Sequence, residues 1–168
     1  MESRARMMGH PIHQMLIVFP LGLLGMSVVF DFVYFGTDDA VFALVAYWMM
    51  VAGIVGGLAA APFGFIDWAA IPAGTRAKRV GAMHGIGNVI VLVLFVGSVL
   101  LRDGADAPPP TSAYVCSFLG VLLSLVTAWM GGELVDRLGV GVHEGAHLDA
   151  PSSLRHTPAG VGHPHRVP

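Results

Sequence analysis

Four stretches of the chain are apolar almost without interruption, and short polar segments separate them. The first runs from about His13 to Phe35 and holds Asp31 as its only acid; the second, Val41 to Ile66, holds no charge. The third, about Val80 to Leu101, carries His84 and Asn88, and the fourth, about Ala113 to Leu134, meets its first charge at Glu133. Roughly 20 apolar residues cross a bilayer as a helix, and a lone segment in lipid can satisfy its backbone in no other way. The pattern therefore predicts an all-α integral membrane protein. Its connections GTDDA, DWAAIPAGTRAKR and RDGADAPPPTS are short, so consecutive helices should be antiparallel neighbours in an up-down four-helix bundle spanning residues 1–138. Residues 139–168, rich in Gly, Pro and His, read as a largely disordered cytoplasmic tail.

Composition agrees. Of the 168 residues, 55% are hydrophobic and 12% charged, against about a quarter charged in an ordinary soluble domain. The net charge of -2 and the lack of a basic stripe argue against nucleic acid as a partner and leave the lipid bilayer. The single Cys116 offers no internal disulfide and reads as a small buried hydrophobe. Arg4 and Arg6 resemble the basic start of a signal peptide, but the apolar run after them is too long, so the first span is expected to be retained. Charge also orients the bundle. Arg4, Arg6, Arg76, Lys78, Arg79 and Arg137 flank one end, whereas only Arg102 flanks the other, which places both termini in the cytoplasm and the protein in the cytoplasmic membrane.

Polar residues gather at that cytoplasmic end. His10 and His13 open the first span, Asp67 closes the second, His84 and Asn88 lie in the first turns of the third, and Glu133 and Asp136 finish the fourth. Pro11 suits a first helical turn, which would put His10 near the N-cap and let His13 face the same side. His84 and Asn88, four residues apart, share a face. Polar groups at this depth should point into the bundle, because facing lipid is costly. Plainer roles compete: Asp67 and Asp136 can cap helix ends, and Glu133 can pair with Arg137. The spacings Gly53/Gly57 and Gly81/Gly85, and the small face Ser117, Gly120, Ser124, Thr127 and Gly131, suit close helix contact.

One motif misleads. His143-Glu144-Gly145-Ala146-His147 matches H-E-x-x-H, which binds zinc when a helix sets both histidines on one face. Here it follows GVGV, precedes a Pro-rich tail and lacks an evident third ligand. His156, His163 and His165 in the tail give only a loose compositional hint of metal binding. No nucleophile–base pair, phosphate loop or dinucleotide fingerprint is present, which argues against an enzyme.

HPIHQMLIVFPLGLL, GGLAAAPFGFIDWAAIP, HGIGN and GGELVDRLGVGV, in this order over about residues 9 to 142, resemble the bacterial membrane-protein family known as domain of unknown function 2231. Members often read His-Pro-x-His-Pro; Gln14 stands here where the second proline would be. The family is distantly similar in design to four-helix b-type membrane cytochromes, which hold haem between histidines on facing helices. The resemblance implies one haem b, with His84 and either His13 or His10 as axial ligands. Asn88 and Glu133 would orient or tune that site.

Three functions follow as expectations. The first is electron transfer through one b-type haem on His13 and His84, with a redox partner. The second is a non-haem iron, zinc or manganese site built from His10, His13, His84 and a carboxylate of Asp67 or Glu133. The third is a cofactor-free accessory subunit or homo-oligomer whose polar layer locks the helices together.

Overall fold

A computed structural model describes residues 1–102 and 108–154. Its four candidate spans are Ile12–Thr37, Ala40–Ala70, Arg76–Leu101 and Thr111–Arg137. They form the expected four-helix bundle, and polar side chains cap the starts of the second and third spans. Asp39 accepts from the Val41 N–H at 3.0 Å ahead of the second span, and Thr75 accepts from the Lys78 N–H at 3.1 Å ahead of the third. These bonds satisfy backbone donors that a helix start leaves free.

The first span is two helices, α1 (Ile12–Leu16) and α2 (Val18–Thr37). Their junction at Ile17 lies three residues ahead of Pro20, whose missing N–H leaves the Leu16 carbonyl without its helical donor. Helix α3 (Ala40–Ala70) makes the second span and contains Pro62; α4 (Arg76–Leu101) makes the third. Helix α5 (Thr111–Gly132) continues into a π-helical turn, Glu133–Arg137. Ahead of α1, strands β1 (Arg6–Met7) and β2 (His10–Pro11) form a small antiparallel hairpin. Its turn, Met8–Gly9, has positive φ at both residues, the twist a two-residue hairpin loop requires.

Helix α2 packs along α3, and α4 along α5, so the bundle is two tight hairpins joined by looser contacts. Leu24, Val28, Met50, Val91 and Phe95 form the buried centre. Glycines act as sockets within it. A Cβ on Gly53 would lie 2.6 Å from Leu24, one on Gly57 2.7 Å from Leu92, and one on Gly120 2.8 Å from Phe95. The outer surface stays apolar: Leu100, Trp129 and Phe65 are each more than 60% exposed. Such a surface suits lipid and would be a liability in water.

Residues 139–154 are turns that fold back against the N-terminal arm, with the Gly141 N–H donating to the Met1 carbonyl at 2.9 Å. The remainder of the expected disordered tail, with His156, His163 and His165, lies outside the described residues, as do Asp103 and Asp106.

Candidate functional site

His13, in α1, donates its Nδ1–H to the Ala60 carbonyl of α3 at 3.0 Å. The ring fits there because Gly64 has no side chain; a Cβ would stand 2.7 Å from His13 Cε1. His84, in α4, makes the matching bond across the other hairpin, Nδ1 to the Thr127 carbonyl of α5 at 2.9 Å. A carbonyl can only accept, so both rings carry a proton on Nδ1, the tautomer that in a neutral imidazole leaves the lone pair on Nε2. The His84 Nε2 accepts from the Asn88 amide at 3.1 Å, and Asn88 Oδ1 faces the Thr127 hydroxyl at 2.9 Å. His84, Asn88 and Thr127 thus close a ring of hydrogen bonds between α4 and α5. Thr127, one of the small residues on the α5 face, completes this network, a role its sequence pattern did not reveal. Among the described residues, His13 Nε2 has no partner.

The other residues of the layer are engaged separately. His10 directly precedes the N-cap of α1, which is Pro11 with extended backbone; it lies in β2, exposed, with Nε2 3.3 Å from the Ser153 hydroxyl. Pairing of β2 with β1 holds it in extended backbone just ahead of the helix. Asp67 accepts from the Ser3 hydroxyl at 2.8 Å to each oxygen and from the Arg4 and Ala5 N–H groups at 2.8 and 3.3 Å. It anchors the N-terminal arm across the end of the bundle. Glu133 pairs with Arg76 of α4 at 2.6 Å rather than with Arg137, so it ties α4 to the π-helical turn. Among the described residues, no three His, Cys, Asp or Glu side chains converge as a metal cluster would require. His143–His147 forms tight turns, with the Ala146 N–H on the His143 carbonyl at 3.0 Å, and lacks the helix that H-E-x-x-H chemistry needs.

A second polar centre lies at the opposite end. Asp31 of α2 and Arg102, which caps α4, form a two-pronged ion pair at 2.9 and 2.6 Å, with side chains 0% and 1% exposed. Arg102 Nε donates to the Ser98 hydroxyl at 3.3 Å, and the guanidinium lies 5.2 Å from the centre of the Tyr114 ring. Tyr114 is itself buried, and its hydroxyl has no partner among the described residues. Arg102 is therefore not a solvent-facing loop charge, as its position after the third apolar run suggests. It turns inward to neutralise the one acid of the first span. The signal was present in the sequence: one acid inside one span and one base bordering another, both toward the same end.

Residues 9–144 match the family model described as "Predicted membrane protein (DUF2231)". The chain belongs to this family. The DUF2231 match takes in both polar centres and ends inside the H-E-x-x-H segment, after Glu144. With four spans long and apolar enough to cross a bilayer, the chain is an integral membrane protein. No curated protein and no solved structure matches it, so neither comparison extends the family resemblance to the b-type cytochromes.

Proposed function

We propose that this DUF2231 protein binds one b-type haem between His13 and His84 and transfers electrons across the end of the bundle that carries both termini. The observation that supports this reading is the paired anchoring of the two imidazoles. Each donates Nδ1–H to a backbone carbonyl of a neighbouring helix, which fixes the ring and holds Nε2 as the ligating atom. The two histidines belong to different hairpins of the bundle, at the same end of two parallel spans. His13 Nε2 is free to ligate, while Asn88 must release His84 Nε2. A haem held there supplies a one-electron couple.

The basic residues support the orientation. With Arg102 buried against Asp31, Arg4, Arg6, Arg76, Lys78, Arg79 and Arg137 all flank the other end, favouring both termini in the cytoplasm and residence in the cytoplasmic membrane. A redox partner would meet the haem from that side.

A second reading has its own observation. The closed His84–Asn88–Thr127 ring is what a cofactor-free lock between α4 and α5 would contain. A non-haem iron, zinc or manganese site has less support: Asp67 and Glu133 already hold other groups, leaving only the histidines.

An absorption spectrum of the detergent-purified chain from haem-replete cells, oxidised and then dithionite-reduced, separates these readings. Haem binding gives sharp reduced bands that disappear in His13→Ala and His84→Ala and persist in Asn88→Ala. A colourless protein, destabilised by Asn88→Ala, would overturn haem binding and leave the lock.

A further inference from the structure

Against the outer side of the second span, a groove of about 500 Å³ opens between the N-terminal arm and the end of α3, lined by Arg4, Phe65, Ile66, Ala69, Ala70 and Pro72. We propose that this groove binds an anionic glycerophospholipid, with its phosphate on Arg4 and an acyl chain along Phe65, Ile66 and Ala69.

Charge is the first argument. Arg4 is the cation that lines the groove, and three others at this end are occupied: Arg6 by Glu2, Arg76 by Glu133, and Lys78 by the carbonyls of Trp68 and Ala69 at 2.7 and 3.3 Å. Arg4 makes no ion pair among the described residues, yet its backbone N–H is pinned by Asp67 at 2.8 Å. The arm therefore holds a free guanidinium at the rim of an apolar floor. Asp67, the acid that holds the Arg4 backbone, has its carboxylate hydrogen-bonded by Ser3, Arg4 and Ala5, which weakens its repulsion of a bound phosphate.

Depth is the second. Trp68 donates Nε1–H to the Lys78 carbonyl at 3.1 Å, and the Lys78 ammonium sits 3.9 Å from the centre of the Trp68 ring. Such an amphipathic aromatic–base pair belongs at the headgroup level. The groove is at that level, and its walls Phe65 and Ile66 are 64% and 43% exposed. A free phosphate would use Arg4 alone; a lipid uses Arg4 and the apolar floor together.

Native mass spectrometry of the full chain in detergent, offered equimolar phosphatidylglycerol and phosphatidylcholine, tests the site. We expect one phosphatidylglycerol retained with about fivefold preference, the factor one basic residue contributes near an anionic surface. Arg4→Gln should bring the two lipids to parity. Ala69→Phe, which fills the floor and spares Arg4, should reduce retention of both lipids, and Arg79→Gln should leave the preference intact. Parity in the unmodified chain, a preference that survives Arg4→Gln, or retention of both lipids unchanged by Ala69→Phe would overturn the proposal. Inorganic phosphate that displaces the lipid while Ala69→Phe has no effect would assign Arg4 to free phosphate and overturn the lipid site.

Discussion

Replacing Asp31 with leucine would leave the Arg102 guanidinium 1% exposed, with only the Ser98 hydroxyl and the face of Tyr114 for company. Replacing Arg102 with methionine would strand the Asp31 carboxylate, whose other donor, Ser117, stands at 3.5 Å and has a better acceptor in the Tyr114 carbonyl at 3.1 Å. A buried charge that loses its partner costs about 3–5 kcal/mol. Each single variant should therefore lose that amount, a large part of the total for a domain of this size. The double variant removes both charges, and its apolar side chains fill much of the same volume. Buried pairs replaced in this way are often neutral or even gain about 1–4 kcal/mol. Equilibrium unfolding in mixed micelles, followed by tryptophan fluorescence, should place the double variant closer to the unmodified protein than either single variant. A double variant as unstable as the sum of the singles would refute the reasoning, because it would show that each residue acts through partners other than its counterpart. Ser117→Ala should cost about 1 kcal/mol, the ordinary worth of one hydrogen bond.

Gly53→Ala drives a methyl to 2.6 Å from Leu24 and 3.2 Å from its backbone nitrogen, and should cost about 1–3 kcal/mol in the same unfolding assay. Gly25→Ala, with nothing within 4 Å of the added carbon, should be neutral or gain up to about 1 kcal/mol. Gly64→Ala should break the His13–Ala60 bond by pushing the ring out, which nitrogen-15 NMR of the imidazole would register as loss of the fixed Nδ1–H form. At the arm, the Glu144 N–H, with help from Arg6 and His143, holds the Glu2 carboxyl below the usual glutamate value. A lowered carboxyl stabilises docking above its free value, and that contribution disappears as pH falls through the lowered one. Spin labels on Met8→Cys and Leu148→Cys in a Cys116→Ser background should therefore separate on acidification, and Glu2→Gln should show the wider separation at every pH.

The spans were legible because hydrocarbon reads the sequence one helix at a time. A run long enough to cross and free of charge has a single backbone solution in lipid, whatever its neighbours are. Polar residues at the helix ends were legible only as a layer, not as partners. In the sequence, Asp67 reads as a helix cap or surface acid, with a metal-ligand role as the competing reading. What decides its role is that Ser3, Arg4 and Ala5 fold across it, a contact between positions more than 60 residues apart. His10 separated from His13 for a similar reason: Met8 and Gly9 adopt positive φ, and the resulting hairpin takes the first histidine out of the helix.

Arg102 shows where counting charges stops working. A base just after an apolar run is ordinarily counted as a loop residue, and in the topology rule it weighs against the opposite end. Its side chain is long enough to turn back into the bundle, and Asp31 gives it reason to. A carboxylate in the first span, facing protein rather than lipid, needs a cation, and α4 ends where that cation can reach it. Once paired, Arg102 no longer belongs to the loop, and the charge asymmetry between the two ends grows. The residue that looked like the exception to the orientation is thus the one that closes the far end of the bundle, joining the first hairpin to the second through α2 and α4.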